Sequence, residues 1–166
     1  MKRILMFAVG LAFVLTLVQP APAQDLASSF VGVWQLKSQM RKEVASGKTQ
    51  NTFGDKPAGH LIYTKGGHFT FTIVADGRKA PATPSVTDAE RVDLFKSSSF
   101  GSGSYKIDGN KVVARYGTSW HQLWTGKDIA AQAEVKDKAL TLTTAPFKSP
   151  QDGLEVVVVT TWERVE

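Results

Sequence analysis

The chain has no cysteine among its 166 residues. Disulfides, thiolate metal sites, a cysteine nucleophile and a lipidated cysteine anchor are therefore all excluded, and stability must come from packing and hydrogen bonds. Histidine is scarce: only His60, His68 and His121 are present. Long apolar runs are equally scarce, and the one example lies at the start. No G-x-S-x-G, H-E-x-x-H, phosphate-binding loop or dinucleotide fingerprint occurs. Acidic residues are scattered and offer no evident catalytic pair. Basic residues are scattered too, with no run interleaved with aromatics, which argues against a nucleic-acid partner.

The single apolar run has the anatomy of a secretory signal peptide. Lys2 and Arg3 precede an apolar stretch from Ile4 to Val18, and Pro20-Ala21-Pro22-Ala23 supplies a small-residue cleavage site. The stretch is short for a membrane span, which needs about 20 residues. We expect residues 1–23 to be removed, which leaves one domain over 24–166 with no membrane span, exported to the periplasm or secreted. A cysteine-free exported chain suits a bacterial setting. Losing Lys2 and Arg3 lowers the formal charge from +5 to +3, so the basic balance is partly a property of the leader.

What remains reads as strands. Trp34, Leu36, Ser38 and Met40 alternate with Gln35, Lys37, Gln39 and Arg41, apolar in and polar out. Leu61 and Tyr63 precede a Thr64-Lys65-Gly66-Gly67 turn, and Phe69, Phe71 and Ile73 alternate after it. Asp108-Gly109-Asn110 and Asp137-Lys138 mark two further hairpins, and four consecutive valines in the last strand suggest a central position. One segment differs. Thr87-x-x-Glu90 is a capping box that opens a short helix within 84–98, with Val86, Val92, Leu94 and Phe95 as a modest apolar stripe. The following Ser97–Ser104 stretch, SSSFGSGS, reads as a flexible linker or, with the helix, a lid. The expected class is an all-β, antiparallel up-and-down barrel of about eight to ten strands with one helical insert, because closure removes exposed sheet edges.

Closure would bring the two ends together. Trp162 and Arg164 share a face of the last strand, and Arg164 is placed to stack on Trp34, with Gly32 allowing close approach where the chain enters. These four residues form the expected barrel-closure set, and Trp34 the expected plug. Gly32-x-Trp34 with an arginine on the last strand resembles the lipocalin signature. The wider set resembles the bacterial lipocalin-like domain family, of calycin type. It comprises Phe30–Trp34, Pro57–Thr64, Tyr105-x-Ile107-Asp108-Gly109, Ser119-Trp120-x-x-x-Trp124-x-Gly126, Leu140–Thr143 and Trp162-Glu163-Arg164. The resemblance implies a barrel more firmly than a reaction. One family feature is absent: Asp128 is followed by Ile129-Ala130-Ala131, without the usual arginine. An avidin-like barrel fits the helical insert poorly. An outer-membrane barrel needs an apolar outer face, against which Lys37, Gln39 and Arg41 are placed outward.

Candidate ligand contacts are the inward aromatics Tyr63, Phe69, Phe71, Tyr105 and Tyr116, and the cluster Trp120, His121 and Trp124 at a strand end. A filled core and a lined cavity look alike at this level; the phenol groups favour a cavity, since buried hydroxyls need partners. His60 and His68 fall on the outward face, so neither a metal site nor a cofactor is expected. No catalytic residue is assigned. The leading reading is a barrel holding a small apolar or amphipathic molecule. The alternatives are an isomerase- or cyclase-type enzyme using His121 and a tyrosine, and a filled barrel acting through a protein partner. Nothing bears on oligomeric state.

Overall fold

The structure, a computed structural model, describes residues 26–166, so the expected signal peptide lies outside the described residues. A short helical turn, α1 (Leu26–Phe30), leads into β1 (Gly32–Glu43), β2 (Thr49–Asn51), β3 (Ala58–Tyr63) and β4 (His68–Val74). A helix, α2 (Asp88–Lys96), precedes β5 (Ser98–Asp108), β6 (Lys111–Ser119), β7 (Asp128–Lys136), β8 (Ala139–Thr144), β9 (Phe147–Lys148) and β10 (Glu155–Arg164). All strands join one antiparallel sheet in the order β2-β1-β3-β4-β5-β6-β7-β8-β10-β9, and β1 also pairs with β10. That extra pairing closes β1, β3, β4, β5, β6, β7, β8 and β10 into a barrel, with β2 and β9 as short flaps at one end.

The turns are set by backbone geometry. Gly67 and Gly109 sit at φ 77° and 58°, and Asp137 takes φ 54° in the β7–β8 hairpin. Glycine, and more rarely aspartate, adopts this region without the full steric penalty. These tight hairpins, with the first and last of the described residues, lie at one end of the barrel. The α2 insert, the loop after β6 and the two flaps lie at the other.

The hairpin end is closed by aromatic packing. Trp34 and Phe30 are both fully buried (0% exposed). Phe30 packs on Tyr63 with ring centroids 4.0 Å apart, and Tyr105 covers the pair at 5.8 Å from Phe30 and 4.8 Å from Tyr63. Trp34 pairs in register with Arg164 of β10, whose guanidinium lies 4.1 Å from the indole centroid. Such a contact contributes about 0.5–2 kcal/mol, more when desolvated. The guanidinium also donates to the carbonyls of Val31 (2.8 Å), Glu166 (3.2 Å) and Ser29, while Trp34 Nε1 donates to Phe30 O at 3.0 Å. Arg164 thus satisfies carbonyls that α1 leaves unpaired at its C-terminal end. Gly32 (φ 146°) faces the Arg164 guanidinium and the Glu166 carbonyl so closely that no Cβ fits.

Three sequence-based expectations are corrected here. First, the alternation in β1 does not run through. Leu36 pairs with Trp162 and Ser38 with Thr161, leaving Lys37 as the extra residue of a β-bulge. A bulge shifts the phase of everything after it. Ser38 turns outward to hydrogen-bond Thr161 Oγ1 at 2.6 Å, and Gln39 and Arg41 turn inward. Of the four residues assigned outward, Gln35 and Lys37 stay there, Lys37 paired with Glu163 at 2.8 Å, while Met40, assigned inward, leaves the cavity face with Ser38. Second, SSSFGSGS is no linker or lid: from Ser98 onward it is the first half of β5, paired residue by residue with β4. Its small residues are required by packing. A Cβ on Gly101 would sit 2.9 Å from both the Phe71 and Tyr116 rings, and one on Gly103 would run into the Arg115 carbonyl. Third, the helix stripe does not face a core. Thr87 and Glu90 do form the capping box, but α2 buries no residue, and Val92 and Phe95 are exposed. It meets the barrel through Phe95 against Trp120 at 4.9 Å and through Ser98 of β5, whose hydroxyl donates to the Leu94 carbonyl at 3.0 Å.

Truncating the buried plug should be expensive. Trp34→Ala is expected to lower unfolding free energy by about 3–5 kcal/mol, as large aromatic deletions do. Urea denaturation measures this, and a change below about 1 kcal/mol would contradict a structural role for Trp34.

Candidate ligand-binding site

Above the aromatic floor the barrel is hollow. A cavity of about 210 Å³ runs from Leu61, Tyr63 and Phe69 toward the open end. One wall is aromatic: Phe71 and Tyr116 meet edge to face at 6.1 Å, and Tyr116 meets Trp124 at 6.2 Å. Trp124 in turn meets Phe147 of the β9 flap at 5.1 Å, edge on. The opposite wall is the inward face of β10, which supplies Val156, Val158, Thr160 and Trp162. The alternate valines, Val157 and Val159, face outward and are half-buried.

The space exists because of what is missing from β5–β7. Gly101 and Gly103 carry no side chain into the barrel, and Ser99, Ala114 and Ala131 carry small ones. Gly117 is the extra residue of a second bulge: Tyr116 pairs with Gly103 and Thr118 with Ser102. That bulge brings Ser119 back onto the inner face, so Trp120 and Trp124 complete the rim.

Of the eight candidate contacts, Tyr63, Phe69, Phe71, Tyr116, Trp120 and Trp124 line the cavity, whereas Tyr105 and His121 do not. Tyr105 belongs to the floor, where its hydroxyl donates to Thr64 O at 2.8 Å. His121 is held outside by its own turn. It caps the 3₁₀ turn Gln122–Trp124, with Nδ1 accepting from Leu123 N at 3.3 Å. His60 and His68 are exposed on the outer surface. Among the described residues, no group of three or more potential metal ligands converges.

The site residues missed from the sequence lie at the mouth. Gln39 and Arg41 enter through the β1 bulge, Thr52 and Phe53 from the segment after β2, and Ser149 to Gln151 from the turn after β9. Arg41 is buried and hydrogen-bonds Asp152 at 2.6 Å. That bond, received from a guanidinium, holds the Asp152 carboxyl below its usual range. The only available signal was β10 itself: its inward valines need partners across the ladder, and a bulge decides which ones.

All three phenols are shifted. Burial raises Tyr63 far above its usual value, helped by Tyr116 and Tyr105; burial pushes Tyr116 up to about 12 and also raises Tyr105. At neutral pH these groups are therefore hydrogen-bond donors, not bases. Since folding disfavours the ionised phenols, their contribution to stability is intact below about pH 10 and is lost as pH rises through the folded values. Tyrosinate absorbance during alkaline titration is expected to show no tyrosine ionising at the ordinary value of about 10 in the folded protein, with Tyr63 ionising only on unfolding. A tyrosine titrating at the ordinary value would contradict this packing.

A family model described as a lipocalin-like domain matches residues 31–165. A search of curated proteins finds no match. Among solved structures, a mutant of the fluorescent protein UnaG is 18% identical, with 83% of this chain and 97% of that one covered and a TM-score of 0.37. The REP1-NXSQ fatty acid transporter is 14% identical, with 84% and 98% covered and a TM-score of 0.38.

Proposed function

Because the chain belongs to the lipocalin-like domain family, we propose that it is an exported barrel that holds one small hydrophobic or amphipathic molecule in its interior. The observation that carries this reading is the apolar cavity of about 210 Å³ above an aromatic floor. Dry cavities of about 150 Å³ take up benzene, so the space suffices for a ring or a short chain. It lies below the range of about 300–1,000 Å³ typical of drug-sized sites, which limits ligand size. Export rests on the signal-like residues 1–23.

The enzyme alternative requires an ionisable pair inside the cavity. His121 stands outside it as a turn cap, and the cavity tyrosines hold their protons. The filled-barrel alternative requires side chains where the glycines and alanines of β5–β7 leave room.

The test is calorimetric binding of 1-octanol to the protein and to an Ala131→Phe variant, which places a ring where a small side chain lines the cavity. Wild type should bind, and the filled variant should lose about tenfold or more in affinity while keeping its fold, since overpacking costs about 1–3 kcal/mol. Equal affinity in both proteins would place the alcohol elsewhere and contradict the reading.

A further inference from the structure

We propose that the molecule held in the cavity carries a carboxylate head, and that Arg41 receives it in exchange for Asp152. This rests on the barrel being a ligand-binding one, and adds the class of ligand.

The Arg41 side chain is 6% exposed and lines the cavity. A buried cation is costly unless a counter-charge answers it. The one carboxylate paired with it does not come from the barrel wall. Asp152 sits on the turn between β9 and β10, with its side chain 38% exposed, and Oδ2 accepts from Arg41 Nη2. The pairing uses only part of the guanidinium fork, which carries five N–H groups. Arg41 Nε is fully buried and finds no acceptor among the described residues. A second group on the same cavity is in the same condition: Thr52 Oγ1 is buried without a partner. Thr52 follows directly on Asn51, whose register partner Met40 adjoins Arg41, and Thr52 and Arg41 both line the cavity. A buried cation with one unanswered N–H, and a hydroxyl without a partner, therefore line the same largely apolar cavity.

A planar fork with a free edge matches a carboxylate, which accepts two parallel hydrogen bonds. The exchange leaves no charge stranded. Asp152 Oδ1 accepts from Leu154 N at 3.2 Å within its own turn, so the released carboxylate keeps that bond and its exposure to water. The turn itself is held by Ser149, whose Oγ and carbonyl accept from Gln151 N and Gly153 N. The incoming carboxylate restores neutrality beside Arg41, and the apolar walls take the tail.

Calorimetry with octanoate and 1-octanol on wild type, Arg41→Gln and Asp152→Asn at neutral pH tests this. Wild type is expected to bind octanoate about tenfold or more tightly than the alcohol. Arg41→Gln should remove that preference, so that acid and alcohol bind with comparable affinity. Asp152→Asn, which removes the competing carboxylate, should strengthen octanoate binding severalfold and leave the alcohol unchanged. Should Arg41→Gln fail to fold by circular dichroism, the Asp152→Asn result decides. Equal affinities of wild type for acid and alcohol, or weaker octanoate binding in Asp152→Asn, would overturn the proposal while leaving the cavity reading standing. Failure of both probes to bind wild type would overturn that reading as well.

Discussion

The pairing of the first long strand with the last governs everything else in this barrel. β1 and β10 lie side by side from Trp34 opposite Arg164 to Glu43 opposite Val156. Without that ladder the remaining strands form an open sheet with two exposed edges, a state that invites association. With it, the edges vanish, and α1 and the end of β10 are bound at one pole. Arg164 fastens them by lying over Trp34 and accepting the role of donor to carbonyls on both terminal segments. A chain without disulfides thus secures its ends through a buried indole and one guanidinium.

The same ladder sets the character of the other pole. Because Lys37 is an extra residue, the lower part of β1 presents Trp34 and Leu36 inward, while the upper part presents Gln39 and Arg41. One bulge converts an apolar floor into a polar mouth along a single strand. Across the barrel, glycines and alanines in β5–β7 open a space that the aromatic rings border without filling. Floor, cavity and mouth therefore follow from strand phase and side-chain size, with no separate domain or lid. The α2 insert meets this arrangement through Phe95 on Trp120 and through Ser98 of β5, whose hydroxyl donates to the Leu94 carbonyl.

Much of this was legible in the sequence. Turn residues located the hairpins, period-two alternation located most inward aromatics, and Gly32-x-Trp34 with Arg164 pointed to the closure. The bulge was not legible, because the residues from Trp34 to Arg41 alternate plausibly in either phase and only the partner strand selects one. The glycine- and serine-rich start of β5 looked like a linker because composition reports flexibility, whereas here the missing side chains make room for Phe71 and Tyr116. His121 looked available for chemistry because a side chain's use as a turn cap does not show in spacing. Asp152 sits in a turn 111 residues from Arg41, and no local pattern links them.

The central claim is that the barrel holds a largely apolar cavity bounded by Phe71, Tyr116 and the inward face of β10, rather than a packed core. Xenon occupies dry apolar cavities and ignores packed cores, so a crystal structure determined under xenon pressure addresses the claim directly. Xenon density between these walls is the expected result. Side chains filling that volume, with xenon absent from the barrel interior, would contradict it.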